Sequence, residues 1–158
     1  MIVGVTGHRP PRLGGYDRNN PTRVGVRREM MMLLSGMGAT KGLTGMAAGA
    51  DQDFADVCVD LGIPFVAALP FEGQEMGWPE EAQEAYRGLL AKAVDVVVVA
   101  ANDPVDDKYA SRDRWIVENC HAMIAVYDGG KHGGTAKAVR YAKELWRPVH
   151  QIDPRRCA

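Results

Sequence analysis

The feature that most constrains this chain is its alternation. Six short runs rich in apolar and β-branched residues are each separated by a longer segment with helical spacing. The runs are Ile2–Val5, Lys41–Thr44, Phe65–Leu69, Val94–Ala100, Ala122–Tyr127 and Val149–Ile152. The intervening segments predict helices over Thr22–Met37, with Thr22 as N-cap, and from the GMAAGAD loop through Asp60. Further helices are predicted over Glu80–Lys92 behind Pro79, Asp106–Asn119 and Ala136–Leu145. Strand and helix in strict alternation require right-handed crossovers and a parallel sheet covered on both faces. The expected fold is therefore a single α/β domain over residues 1–158, a Rossmann-like three-layer sandwich. Its mostly parallel sheet has about six strands, with helices on both faces. Val94–Ala100 reads as a continuous buried strand, and the Met30-Met31-Met32 run as core filling.

A chain of 158 residues suits one domain with a genuine core. Its formal net charge of -1 supplies no global field toward nucleic acid or an anionic membrane, so both are unexpected partners. Cys58, Cys120 and Cys157 are odd in number and widely spaced, which fits neither a disulfide framework nor a metal site. The chain opens directly in a strand, without a basic leader or cleavage site, and its longest apolar run is too short to cross a bilayer. The expected location is the reducing cytoplasm.

In open parallel sheets, ligands gather outside the carboxyl ends of the strands. Three loops at such ends carry chemistry. The first is Thr6-Gly7-His8-Arg9, where a hydroxyl, an open backbone, an imidazole and a guanidinium fork lie together. The fork can grip a phosphate through two hydrogen bonds. The second, TGMAAGAD at 44–51, places Gly45, Gly49 and Asp51 at a helix start. There small residues let an anion approach the free N–H groups, while Asp51 either binds a ribose hydroxyl or braces the helix. The third, Asp128-Gly129-Gly130-Lys131-His132-Gly133-Gly134-Thr135, is a candidate phosphate nest, with Lys131 and His132 as loop residues. Arg112 either reaches the same anion or pairs with Asp113 or Asp107 at the surface, and Trp78 is a candidate platform for a base. No Walker A loop and no GxGxxG fingerprint occurs.

Taken together, TGHRPPRLGGY at 6–16, TGMAAGAD at 44–51, LPFEGQEMGW at 69–78 and RDRWIVENCHAMIAVYDGGKHGGTAKAVRYA at 112–142 resemble the YpsA-like branch of the SLOG superfamily. That superfamily also includes the lonely-guy phosphoribohydrolases, the lysine decarboxylase-like proteins and DprA. The resemblance covers nearly the whole chain and implies a pocket for a nucleotide-derived small molecule, such as an ADP-ribose-like signal or a nucleoside phosphate. It carries the ligand role onto Thr6, Gly7, His8 and Arg9, onto Gly45, Gly49 and Asp51, and onto Gly133, Gly134 and Thr135. Arg112 matches the arginine of the family's Arg-Asn pair, whereas Asp113 stands where asparagine is usual. The phosphoribohydrolases follow their Gly-Thr motif with a catalytic glutamate, but Thr135 is followed here by Ala136-Lys137-Ala138. The resemblance therefore implies binding, sensing or sequestration first. Nucleotide N-glycoside hydrolysis through Glu118 or Asp128 comes second, and a DprA-like DNA-associated module third. It further implies a homo-oligomer, and the short length and compactness suit a phage or mobile-element copy. No cofactor is expected, save a magnesium ion accompanying a phosphate ligand.

Overall fold

The computed structural model describes residues 1–158. In chain order the elements are β1 (Ile2–Gly7), α1 (Pro21–Met37), β2 (Lys41–Thr44), α2 (Ala50–Leu61), β3 (Phe65–Leu69) and α3 (Glu80–Leu90). The second half holds β4 (Asp95–Val98), α4 (Lys108–Asn119), β5 (Ala122–Val126), α5 (Gly134–Glu144) and β6 (Val149–Ile152). All strand pairs are parallel, and the order across the sheet is β4-β3-β2-β1-β5-β6. The chain winds outward from β1 to β4 and then crosses back to β5 on the other side of β1. The topology therefore switches between β1 and β5, the place where doubly wound sheets open a crevice.

Side-chain alternation along the strands builds the two cores. Val3, Val5, Ala67, Ile124 and Val126 face α1, α2 and α3, where Met30, Leu34, Phe54 and Tyr86 complete one cluster. Leu43, Val66, Ala68 and Met123 face α4 and α5 and pack on Ile116, Val117 and Ala142. Burial of large apolar side chains on both faces is the main stabilising term.

Helix α1 starts earlier than its apolar spacing suggests. Asn20, not Thr22, is the N-cap; its side chain accepts from the Arg23 amide at 3.0 Å, and Pro21 takes the first helical position. Of the methionine run, Met30 is in the core and Met31 packs against it, but Met32 is exposed. Helix α1 is tied to α2 by a buried ion cluster. Arg23 donates through Nε (3.1 Å) and Nη2 (2.9 Å) to Asp53, and Arg27 donates to the same carboxylate at 3.1 Å. Nη1 of Arg23 also donates to the Tyr16 carbonyl at 2.9 Å.

The expectation for the fourth strand fails. β4 is a short edge strand, not a buried one, and Val94, Val96 and Val98 are 61%, 43% and 38% exposed. Of its valines, only the alternate Val97 and Val99 pack inward, and Ala100 beyond them is buried. With β3 as its only neighbour, one of its faces lies beyond the helices; an all-valine run reads the same whichever situation it meets. No helix is long and apolar enough to cross a membrane.

Candidate functional site

At the β1–β5 switch lies an open cavity of about 310 Å³, lined by Thr6, Gly7, His8, Arg9, Arg12, Ala47, Asp51, Tyr109, Arg112, Asp113, His132, Gly133, Gly134 and Thr135. Segments far apart in the chain meet here because β1 and β5 are hydrogen-bonded neighbours, with Gly7 opposite Val126. Gly7 is required by packing: a Cβ there would stand 2.5 Å from that of Ala50 and 2.8 Å from that of Val126. The start of α2 is thereby seated against the end of β1.

The first loop leaves the sheet with the His8 amide donating to the Val126 carbonyl at 2.9 Å. Burial, together with the Arg12 charge, lowers the His8 pKa below its usual value, and its Nε2 accepts the Asp128 amide at 3.3 Å. His8 is thus a neutral acceptor clamping the first loop to the third. Arg9 is exposed and engaged in no ion pair. The Pro10–Arg12 turn swings Arg12 back over the cavity, where it pairs with Asp128.

The second loop is heavily braced. The Gly45 carbonyl accepts from Arg112 Nη1 (2.7 Å) and Gln74 Nε2 (3.0 Å), Met46 is held at φ 61, and the Ala47 amide donates to the Asp51 carboxylate at 3.2 Å. A Cβ on Gly45 would lie 2.3 Å from Arg112 Nη1, so this glycine makes room for a guanidinium. Gly49, at φ +99, admits the His8 carbonyl, to which the Ala50 amide donates at 3.2 Å. Neither glycine lines the cavity. Asp51 does, and burial, partly offset by Arg112, pushes its carboxyl up to about 6.

Arg112 is not a surface salt-bridge residue. It is 3% exposed and bridges the Gly45 carbonyl to Asp113, donating to the latter through Nε at 2.8 Å. Asp113 is therefore the carboxylate partner holding this guanidinium in place.

The two helix N-termini at the site differ. α2 has its first amide committed to His8 and carries Asp51 and Asp53 in its first turn, so its positive end is already occupied. α5 begins after Gly133 with no side-chain cap and no acidic residue in its first turn, and Gly133, Gly134 and Thr135 face the cavity. Its N–H groups are the unclaimed donors. Free helix-start amides therefore occur at the third loop rather than the second. Asp128 and Gly129 shape that loop without lining the cavity. The Gly130 amide donates to Asp128 at 2.9 Å, which with the neighbouring Arg12 holds that carboxyl below its usual range, and Gly129 takes φ +86.

Trp78 lies elsewhere. It packs edge-to-face on Tyr86 (centroids 5.3 Å apart) and lines a separate cavity of about 600 Å³ beside α3, which has no lining residue in common with the first. Glu118, a carboxylate considered for hydrolysis, is exposed on the last turn of α4 and does not line the site. Arg12 and Tyr109 were not singled out in the sequence. The Pro10-Pro11 pair signals the turn that returns Arg12, whereas nothing local marks Tyr109.

Comparison with known proteins agrees with this architecture. A UPF0398 protein of Bacillus pumilus is 27% identical over 146 residues, covering 86% of this chain and 77% of its own. Another, from Bacillus anthracis, is 25% identical over 154 residues, covering 90% and 83%. Among solved structures, the DNA processing protein A of Helicobacter pylori superposes with a TM-score of 0.68 at 16% identity, covering 97% of this chain and 65% of that one. The molybdenum cofactor binding protein of Rippkaea orientalis superposes with a TM-score of 0.59 at 18% identity, covering 96% and 77%. At such identities the likeness is one of fold. The family model described as the YspA SLOG family matches residues 3–156, and the chain belongs to that family.

Proposed function

We propose that this chain binds a phosphate-bearing, nucleotide-derived small molecule at the β1–β5 switch, and holds it rather than converting it. One observation carries the reading: the uncapped start of α5 at Gly133–Thr135 faces Arg9, Arg12 and Arg112 across a single cavity. Unclaimed amides at a helix start favour a phosphate, and an exposed arginine without a partner can close on it bidentately. Arg112 is already hydrogen-bonded, so it contributes a fixed positive charge rather than a grip. Asp51 and the buried Thr6 hydroxyl supply acceptor and donor for a ribose. A magnesium ion would enter as the companion of the phosphate.

Asp51 favours a second reading, nucleotide N-glycoside hydrolysis. A cavity-lining carboxyl with a pKa of about 6 is suited to proton transfer near neutral pH. The test is a thermal-shift panel of AMP, ADP, ADP-ribose, NAD and their guanine and pyrimidine counterparts, with the products separated by chromatography. A ligand at ~100 times its dissociation constant stabilises the fold by about 2.7 kcal/mol. A shift with intact ligand, abolished by Arg9→Ala, supports binding. Release of free base, lost in Asp51→Asn, promotes the hydrolase. No shift across the panel refutes the nucleotide reading.

A further inference from the structure

A nucleotide anchored by its phosphate at Gly133–Thr135 needs somewhere to put its base, and the anchoring cavity itself is a poor candidate. Its walls are arginines, aspartates, histidines and glycine backbone, with Tyr109 as the one ring of size. Tyr109 is also where that cavity ends and another begins. A groove of about 410 Å³ between α4 and α5 has Tyr109, Asp113 and Gly134 in common with the anchoring cavity, so the two adjoin at the first residue of α5. The larger cavity beside α3 has no such continuity, and Trp78 within it is already engaged edge-to-face with Tyr86.

Resting on the phosphate-anchoring reading above, we propose that the α4–α5 groove receives the base, with the Tyr109 ring as its stacking platform. Tyr109 is 42% exposed although its surroundings position it closely. The Phe71 ring meets it edge-to-face with centroids 5.8 Å apart, and the guanidinium carbons of Arg9 and Arg112 stand 6.0 and 5.8 Å from its centroid. Both guanidinium groups lie at the outer reach of a cation–π contact, which restrains the ring electrostatically. Around the groove, Arg114, Lys137 and Arg140 belong to no ion pair, and neither do Asp106 and Glu144. Arg140 donates to the Lys131 carbonyl and Arg114 to the Ser111 hydroxyl. That leaves Lys137, Asp106 and Glu144 as the free donor and acceptors to match a base edge, which presents both kinds of group. The three cations against two free carboxylates also suit a ligand that is anionic overall.

The experiment is isothermal titration with AMP, GMP, CMP, UMP and ribose 5-phosphate, on the wild-type chain and on Tyr109→Ala and Tyr109→Phe. The tightest nucleotide is expected to bind at least about tenfold more strongly than ribose 5-phosphate, since one base–aromatic stack accounts for about fivefold to a hundredfold. Tyr109→Ala should erase that advantage, read as the ratio of nucleotide to ribose 5-phosphate affinity within the variant, with circular dichroism reporting an intact fold. Tyr109→Phe should keep it. Equal binding of ribose 5-phosphate and every nucleotide, or a base preference that survives Tyr109→Ala, overturns the groove assignment and leaves the phosphate site standing. Failure of all five to bind removes the phosphate reading, and this one with it.

Discussion

The ion cluster between α1 and α2 makes an asymmetric prediction. Asp53 is fully buried and Arg23 only 7% exposed at its side chain, and the carboxylate serves both Arg23 and Arg27. Replacing Asp53 by leucine leaves two guanidinium groups facing each other in the interior. Breaking such a pair from one side costs about 3–5 kcal/mol. For a domain of this length, each kcal/mol lowers Tm by about 2–4 °C, so Asp53→Leu should melt roughly 6–20 °C earlier. Arg23→Met should cost less, because Arg27 still neutralises the carboxylate at 3.1 Å. Combining the two changes removes the buried Arg23 charge together with its partner, and should recover about 1–2 kcal/mol of the Asp53→Leu loss. Urea denaturation followed by circular dichroism on the three variants measures all these terms at once. An Asp53→Leu cost below about 1 kcal/mol, or a double variant no better than Asp53→Leu, would refute the claim that desolvated charge dominates here.

Two further perturbations probe the site itself. The Asp51 carboxyl is raised from 3.8 to about 6, so the folded state retains a proton that the unfolded chain has released. Its contribution is therefore complete below pH ~4 and lost as pH rises toward 6, about 3 kcal/mol in all. Asp51→Asn should flatten this part of the stability-versus-pH curve between pH 4 and 7, measured by denaturant midpoints; an unchanged slope would assign the titration to another group. Gly45→Ala would push a methyl group into the Arg112 guanidinium, and should cost about 1–3 kcal/mol in urea denaturation. A neutral outcome would mean that Arg112 is free to move.

The alternation of runs and helices carried the architecture because a parallel sheet buried on both faces leaves that pattern along most of its length. The pattern lost its meaning at β4, where the valines occupy an edge with one uncovered face. Helix starts were displaced where a polar cap outranks apolar spacing, as Asn20 does over Thr22. At the site, the three glycine loops were legible because backbone that approaches a ligand or another loop needs small residues. Their division of labour was not. That Gly45 makes room for Arg112, and that Asp51 and Asp53 occupy the α2 terminus while α5 stays free, depends on contacts between segments up to 67 residues apart. Trp78 was a reasonable platform by its loop position, but the order of strands sends that loop toward α3 and brings Tyr109 to the cavity.

The uncovered edge also bears on how this chain behaves when crowded with copies of itself. An edge strand with exposed valines at Val96 and Val98 offers a template for chain-to-chain pairing, the route by which sheets grow into aggregates. Within β4 the one interruption is Asp95, whose carboxylate accepts from the Val96 amide at 2.8 Å. A single acidic side chain thus gives the strand a negative charge that any identical edge laid against it would have to meet. It acts as a gatekeeper on the part of the sheet farthest from strands β1 and β5, which border the cavity.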